Sequence, residues 1–154
     1  KPAFLLYNMK DNLKDIIRSN LFEGQVLLDL SVNSGRDHVR IVIDSEDNVT
    51  LSDTTILSRK LKLLEEFNDQ LAEFYRLEIS TPGIDRALEF PFQYRKNIDR
   101  KINIKTLKNG NQKTLKGKII KASDEYVSVS SRSGNITNIS YDSIKSAKIK
   151  LSFK

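Results

Sequence analysis

The chain of 154 residues contains no cysteine and a single histidine, His38. The lack of cysteine excludes a disulfide framework, a thiolate metal site and a cysteine nucleophile, and it is typical of a protein from a reducing cytoplasm. One histidine cannot form a histidine-based metal cluster, and His38 in "GRDHVR" is interpreted as a surface residue of a strand. The sequence therefore predicts neither a metal ion nor another cofactor.

Glycine is also scarce, and its six positions exclude the common phosphate-binding loops. No GxGxxG, Walker A or GxSxG pattern occurs, so neither a nucleotide-binding loop nor a nucleophilic serine can be argued. The acidic run "DSED" at 44–47 could hold a divalent ion, but acids at that place are common in turns and at helix starts. The uncharged stretch at 2–9 is far shorter than the ~18 residues of a membrane helix. We therefore predict a protein that is not an enzyme and not embedded in a membrane.

Charge is distributed unevenly along the chain. Residues 1–82 contain ten Lys and Arg and fourteen Asp and Glu, whereas residues 83–154 contain sixteen and six. The net charge thus changes from −4 to +10 next to the "TPG" turn at 81–83. This predicts two domains of opposite charge, an N-terminal one at 1–82 and a C-terminal one at 93–154, joined by a linker at 83–92.

The N-terminal domain is predicted to be α/β, with the element order α-β-β-α-β. Thr50 and Asp53 are spaced as a capping box, which marks the start of the second helix. A three-stranded sheet with both helices on one face would bury every apolar stripe. The periodicity places helices and strands at 6–21, 26–32, 39–43, 50–67 and 74–79.

The C-terminal domain is predicted to be a small closed barrel of five short strands. Alternation along the first two strands turns Ile102 and Ile104 inward and the neighbouring lysines outward. With no room for a helix longer than one turn, closure is the expected way to bury so short a set of strands. The strands are expected at 101–107, 113–122, 126–131, 136–140 and 146–151.

The outward lysines form the strongest functional signal. Ten basic residues and one acid, Asp99, lie between Arg95 and Lys121. They are interpreted either as a solvated strand surface, since lysine protects sheet edges, or as a surface that contacts phosphates. Tyr126 and Tyr141 could stack on bases or pack at the rim of the barrel.

The segment "EISTPGIDR" at 78–86 ends the third strand in a Pro-Gly turn and then presents Asp85 and Arg86. Proline restricts φ, and glycine is expected to supply an unusual dihedral after it. The charged pair is interpreted either as an ion pair that orients the linker or as a place where Arg86, together with Arg59, contacts a partner.

Several segments resemble the RimP-type ribosome maturation factors. "YRLEISTPGIDRAL" at 75–88 resembles the central signature of that family, and similarity continues in "VRIVID" at 39–44, "SRKL" at 58–61 and "ISYDSIKSAKI" at 139–149. Two departures stand out: Ala87 replaces a proline of the family, and "IDR" at 98–100 replaces its IGR.

The resemblance implies an α+β protein whose N-terminal α/β domain precedes a Sm-like or SH3-like five-stranded barrel. It also implies a cytoplasmic, non-catalytic factor, expected as a monomer without cofactors, that binds the immature small ribosomal subunit through ribosomal RNA, a ribosomal protein or both. The alternative is a Sm-like RNA-binding regulator of messenger or small RNA. Candidate RNA or ribosome contacts are Arg86, Arg100, Lys101, Lys105, Lys116, Lys118 and Lys121. Candidate interdomain or partner residues are Arg59, Pro82, Gly83 and Asp85.

Overall fold

A computed structural model of the chain describes residues 3–151, with side-chain surroundings from residue 8 onward. The chain divides into two units, which we call unit 1, ending at Pro82, and unit 2, beginning at Gly83. Among the described residues, no helix is both long enough and apolar enough to cross a membrane.

Unit 1 has the predicted order of helices and strands, with one additional short helix. β1 pairs with β2 as an antiparallel hairpin, and β3 adds to β2 in parallel, so that β2 is central. The elements are α1 (Ala3–Ser19), β1 (Gln25–Val32), β2 (His38–Ser45), α2 (Leu51–Leu63), α3 (Glu65–Asn68) and β3 (Arg76–Ser80). The helix predicted at 50–67 is divided into α2 and α3 at Leu64, whose backbone is extended with φ −87° and ψ 115°.

The core of unit 1 lies between the helices and one face of the sheet. Val39, Ile41 and Ile43 alternate along β2 and are fully buried. They share one cluster with Leu13 of α1 and Leu61 of α2, which are also fully buried. Both helices therefore cover the same face of the sheet, as predicted.

The start of α2 is held by the predicted capping box. The Thr50 hydroxyl accepts from the Asp53 N–H at 3.0 Å, and the Asp53 carboxylate accepts from the Thr50 N–H at 3.0 Å. Two N–H groups at the helix start are thus paired by side chains rather than by water.

Unit 2 begins with a short helix and continues as a five-stranded antiparallel sheet. Its elements are α4 (Pro91–Arg95), β4 (Lys101–Lys108), β5 (Asn111–Ala122), β6 (Tyr126–Ser130), β7 (Ile136–Ser140) and β8 (Ile144–Ile149), with a 3₁₀ turn at Tyr141–Ser143. Before the sheet, the Leu88 N–H donates to the Ala147 carbonyl at 2.8 Å, and the Tyr94 ring enters the core with 2% exposure. Residues 83–95 thus contribute both a backbone hydrogen bond and a core side chain to unit 2.

The five strands were predicted correctly, but the predicted closure of these strands into a Sm-like barrel is wrong. The strand order is β7-β6-β5-β4-β8, and within residues 3–151 no ladder joins β7 to β8. Closure would require these two strands to pair, yet β7 pairs only with β6 and β8 only with β4. The sheet is therefore open with two edges, and Ile136 on the β7 edge is 64% exposed.

Candidate nucleic-acid interface

Six lysines lie on the face of the unit 2 sheet that is turned away from its core. Lys101 lies opposite Lys118, and Asn103 lies opposite Lys116 on one side and Lys148 on the other. Residues directly opposite in an antiparallel ladder share a face of the sheet. We call this set the lysine face. Its members, all exposed, are Lys101, Lys105, Lys116, Lys118, Lys148 and Lys150.

Burial of the intervening residues holds these lysines outward. Ile102 and Ile104 of β4 are at most 1% exposed, and Ala147 of β8, opposite Ile104, is fully buried. Because side chains alternate between the two faces of a strand, burial of these residues directs their neighbours to solvent. Hydrophobic burial in unit 2 thereby positions the lysine face.

The lysine face carries a like-charge conflict that the chain itself does not relieve. Lys101 and Lys118 are directly opposite, and like charges in that arrangement are destabilising. β4, β5 and β8 contain no Asp or Glu. None of the six lysines forms an ion pair with any residue in the described part of the chain. This surface therefore stays positively charged and suits an external polyanion.

A groove of about 540 Å³ runs beside the lysine face. Residues 130–132, at the end of β6 and in the turn after it, also line the groove. The polar residues that line it are Lys101, Asn103, Lys116, Lys118, Ser130, Ser131, Arg132 and Lys150. The lining contains no acid, so cations and neutral donors alone face a bound anion, which is the arrangement that phosphate contacts require.

Lys121 reaches the same side of the sheet only because β5 contains a bulge. Lys118 lies opposite Ser130, and Lys121 lies opposite Ser128. Since Ser128 and Ser130 are two residues apart on β6, they share a face, and so do their partners. Four residues of β5 therefore oppose three of β6, and Ile120 falls within the irregular stretch. Simple alternation along β5 would have placed Lys121 on the core side.

Arg100 and Arg86 were predicted as contacts, but the structure does not bring them to the lysine face. Arg100 lies in the turn before β4, where its carbonyl accepts from the Ile119 N–H at 3.1 Å. Arg86 closes a different turn, in which its N–H donates to the Gly83 carbonyl at 3.1 Å. Neither residue belongs to the strand alternation that aligns the lysines.

The Pro-Gly segment differs from the prediction in its geometry. The turn runs from Gly83 to Arg86, so Gly83 begins it, and Gly83 does not have a positive φ. A Cβ atom on Gly83 would meet no described atom within 4 Å. The expectation that this glycine supplies an unusual dihedral is therefore wrong. Asp85 is exposed, and its pairing with Arg86 stays a prediction, as does a role of Pro82 at a partner surface.

Tyr141 packs at the rim of the core, which is one of the two roles considered for it from the sequence. Its hydroxyl donates to the Ser123 carbonyl at 2.8 Å, and its ring centroid lies 5.0 Å from that of Tyr94. Burial raises the pKa of Tyr141, and burial together with the neighbouring Tyr141 raises the pKa of Tyr94. Tyr126 is half-buried at the start of β6, and its stacking on a base stays a prediction.

The charged side chains on the strands of unit 1 are mostly paired with each other. His38, whose side chain is 41% exposed, lies on β2 with Nε2 3.3 Å from Glu78 Oε2, and Arg76 lies 3.1 Å from Oε1. Because Nε2 has no well-directed hydrogen bond, we describe its contact with Glu78 as electrostatic. The contact with His38 is the largest cause that lowers the pKa of Glu78 below its ordinary value, and Arg76 and Arg40 lower it further. These residues form one cluster around the Glu78 carboxylate, and His38 is a strand surface residue as predicted.

Several cations of the candidate interface were not predicted from the sequence. Lys148 and Lys150 belong to the lysine face through the pairing of β8 with β4, and Arg132 reaches the groove from the β6–β7 turn. The high positive charge of residues 83–154 pointed to the region, but only the register of the ladder shows which cations meet. Arg59, predicted as a partner residue, lies in unit 1 on α2 and lines a separate groove.

Comparison with known proteins finds similarity over about half of the chain. Residues 13–85 match the RimP N-terminal domain. The chain is 35% identical over 80 residues to the ribosome maturation factor RimP of Christiangramia forsetii, an alignment that covers 52% of this chain. The chain spans half the length of that relative. Residues 13–85 are therefore similar to the N-terminal domain of the RimP family.

Proposed function

We propose that this protein is a non-catalytic ribosome maturation factor that binds the immature small ribosomal subunit. Its relative is named as a ribosome maturation factor, and the matched region is the N-terminal domain of that family. The observation that carries the binding mode is the lysine face, a positive surface without acids on its strands. Ribosomal RNA is the polyanion that such a surface would meet on the particle.

The lysine face supports contact with the RNA backbone rather than with particular bases. Lysine is a compact point charge on a flexible stem, which suits phosphate oxygens and carries no sequence information by itself. Binding through such contacts weakens steeply as salt concentration rises, because condensed counterions are released on association.

Unit 1 supports a second kind of contact. Its net charge of −4 complements a cationic ribosomal protein, and complementary charge raises association rates and excludes wrong partners.

We propose that the factor acts in the cytoplasm as a monomer. We also propose that it needs no cofactor, since no nucleotide loop or catalytic motif occurs in the sequence.

The first prediction compares two double variants of unit 2. Lys101→Gln with Lys118→Gln removes two charges from the lysine face, while Lys108→Gln with Lys113→Gln removes two from the same strands but away from that face. We expect the first pair to weaken co-sedimentation with immature small subunits and to lower the salt slope of binding by roughly two. The second pair should leave both quantities close to wild type.

The first pair should also stabilise the fold slightly, because it removes a directly opposed like-charge pair worth about 0.2–1 kcal/mol. Weaker binding with unchanged or higher stability cannot be explained by misfolding. If both double variants weaken binding equally, the effect is one of net charge and the lysine face is not the interface. If the wild-type protein sediments with messenger or small RNA outside the small-subunit peak, the Sm-like regulator replaces the ribosomal proposal.

A further inference from the structure

A second groove lies on unit 1, away from the lysine face in sequence and built on a different element. It measures about 340 Å³ and follows one side of α2. Its lining is unusual for a unit of net negative charge, because it combines hydroxyls and cations and contains no acid. The lining residues are Thr54, Thr55, Ser58, Arg59, Lys62 and Ile79.

The two cations of this groove are uncompensated within the described chain. Arg59 and Lys62 are exposed, and neither side-chain cation has a hydrogen bond or ion pair with a residue between 3 and 151. Two other arginines of unit 1, Arg40 and Arg76, each contact Glu78. The groove, by contrast, offers its cations no acid to pair with.

The groove also retains a neutral hydrogen-bond donor. The Thr54 and Thr55 hydroxyls donate to the Leu51 carbonyl at 2.8 and 2.9 Å, so their protons are used within the helix. The Ser58 hydroxyl has no such bond in the described structure. Ser58 lies one residue before Arg59 and four before Lys62, which on an α-helix places the three donors along neighbouring rows of one side.

The donor set matches the chemistry of a phosphate group. Arginine presents a planar fork that binds two oxygens, lysine adds a point charge, and a serine hydroxyl can donate to a further oxygen. Ile79 of β3 forms an apolar wall beside them. No lining side chain carries a negative charge that would repel the anion.

We propose that Ser58, Arg59 and Lys62 form a phosphate-binding site through which unit 1 contacts an RNA backbone. This inference rests on the proposed function, because the RNA it would meet is the one that the lysine face contacts. It adds that the acidic unit has its own local site for the same polyanion. An acidic protein segment could approach the same donors, and the experiment below separates it from RNA.

The test uses the full-length chain and a fluorescein-labelled RNA hairpin, with binding followed by anisotropy over a range of salt concentrations. Lys62→Gln is compared with Lys60→Gln, a matched control. Both lysines lie in the last turn of α2, where either favours the helix dipole. Lys60, however, places its ammonium 4.9 Å from the centroid of the Phe22 ring and does not line the groove.

We expect Lys62→Gln to weaken RNA binding about three- to tenfold and to lower the salt slope by about one, as for one lost phosphate contact. Arg59→Gln should act in the same direction, and Ser58→Ala should weaken binding by a smaller factor. Lys60→Gln should stay within about twofold of wild type, because it changes net charge without removing a contact to the RNA. Circular dichroism of each variant establishes that α2 is intact.

Three outcomes overturn the proposal, and each points elsewhere. Equal effects of Lys62→Gln and Lys60→Gln would show a net-charge effect, leaving the lysine-face proposal in place. Unchanged RNA binding with weaker co-sedimentation by Lys62→Gln would show that the groove holds a protein carboxylate. Failure of the wild-type chain to bind the hairpin even at low salt would remove the RNA-binding proposals for both units together.

Discussion

At the scale of single residues, Gly117 shows how one position shapes the interface. It lies in β5 opposite Ile102, between Lys116 and Lys118 of the lysine face. A Cβ atom on Gly117 would lie 2.5 Å from the Ser130 carbonyl oxygen, closer than any real contact allows. Glycine is therefore needed here for the close approach of β6 to β5, not for backbone freedom. The sequence suggested only that Gly117 alternates with outward lysines.

The prediction for this residue is that Gly117→Ala destabilises unit 2. The obstructing atom is backbone, which cannot rotate away, so the strands must shift at a cost of about 1–3 kcal/mol. Chemical denaturation measures the loss. Gly83→Ala is the matched control, because its Cβ would enter open space and its φ is not positive, and we expect a change within about 0.5 kcal/mol. Comparable losses in both variants would contradict the close approach at β6.

At the scale of elements, α2 carries both a start signal and the proposed phosphate site. Thr50→Ala should reduce stability by about 1 kcal/mol, because it removes the hydroxyl that accepts from the Asp53 N–H. Ser52→Ala provides the control, since Ser52 is exposed in the first turn and makes no capping bond. Thermal unfolding measures the two variants. A loss no larger for Thr50→Ala than for Ser52→Ala would show that the helix start is held by other contacts.

The elements also show which parts of the fold a single sequence could predict. The capping box at Thr50 and the alternation through Val39, Ile41 and Ile43 are local patterns, so α2 and β2 followed from them. The apolar period runs on through residue 67 and does not show the break at Leu64, and the helix at 91–95 is too short to show a period. The bulge in β5 and the open edge at β7 depend on which residues face each other across strands. A side-chain pattern along one strand cannot contain that information, which is why Lys121, Lys148 and Arg132 could be placed only by the structure.

At the scale of the whole molecule, the boundary between the two units coincides with the change in net charge along the chain. The division into units falls between Pro82 and Gly83, where the net charge of the sequence also changes sign. If each unit contributes a contact to one particle, the second contact forms at an effective concentration set by the connection between them. The overall affinity should then depend on that connection even where no contact residue is altered.

The last prediction inserts a flexible Gly-Ser segment after Pro82. Each unit keeps its own core, so circular dichroism and thermal unfolding should stay close to wild type. Co-sedimentation with immature small subunits should weaken, because a longer flexible connection dilutes the second unit around the first. The same segment inserted after Gly110 is the control: Gly110 lies in the exposed turn between β4 and β5, away from the groove beside the lysine face, so the connection between units is unchanged. Equal binding by both insertion variants and the wild type would mean that one unit alone supplies the affinity, and the Lys101 and Lys62 variants would then identify which.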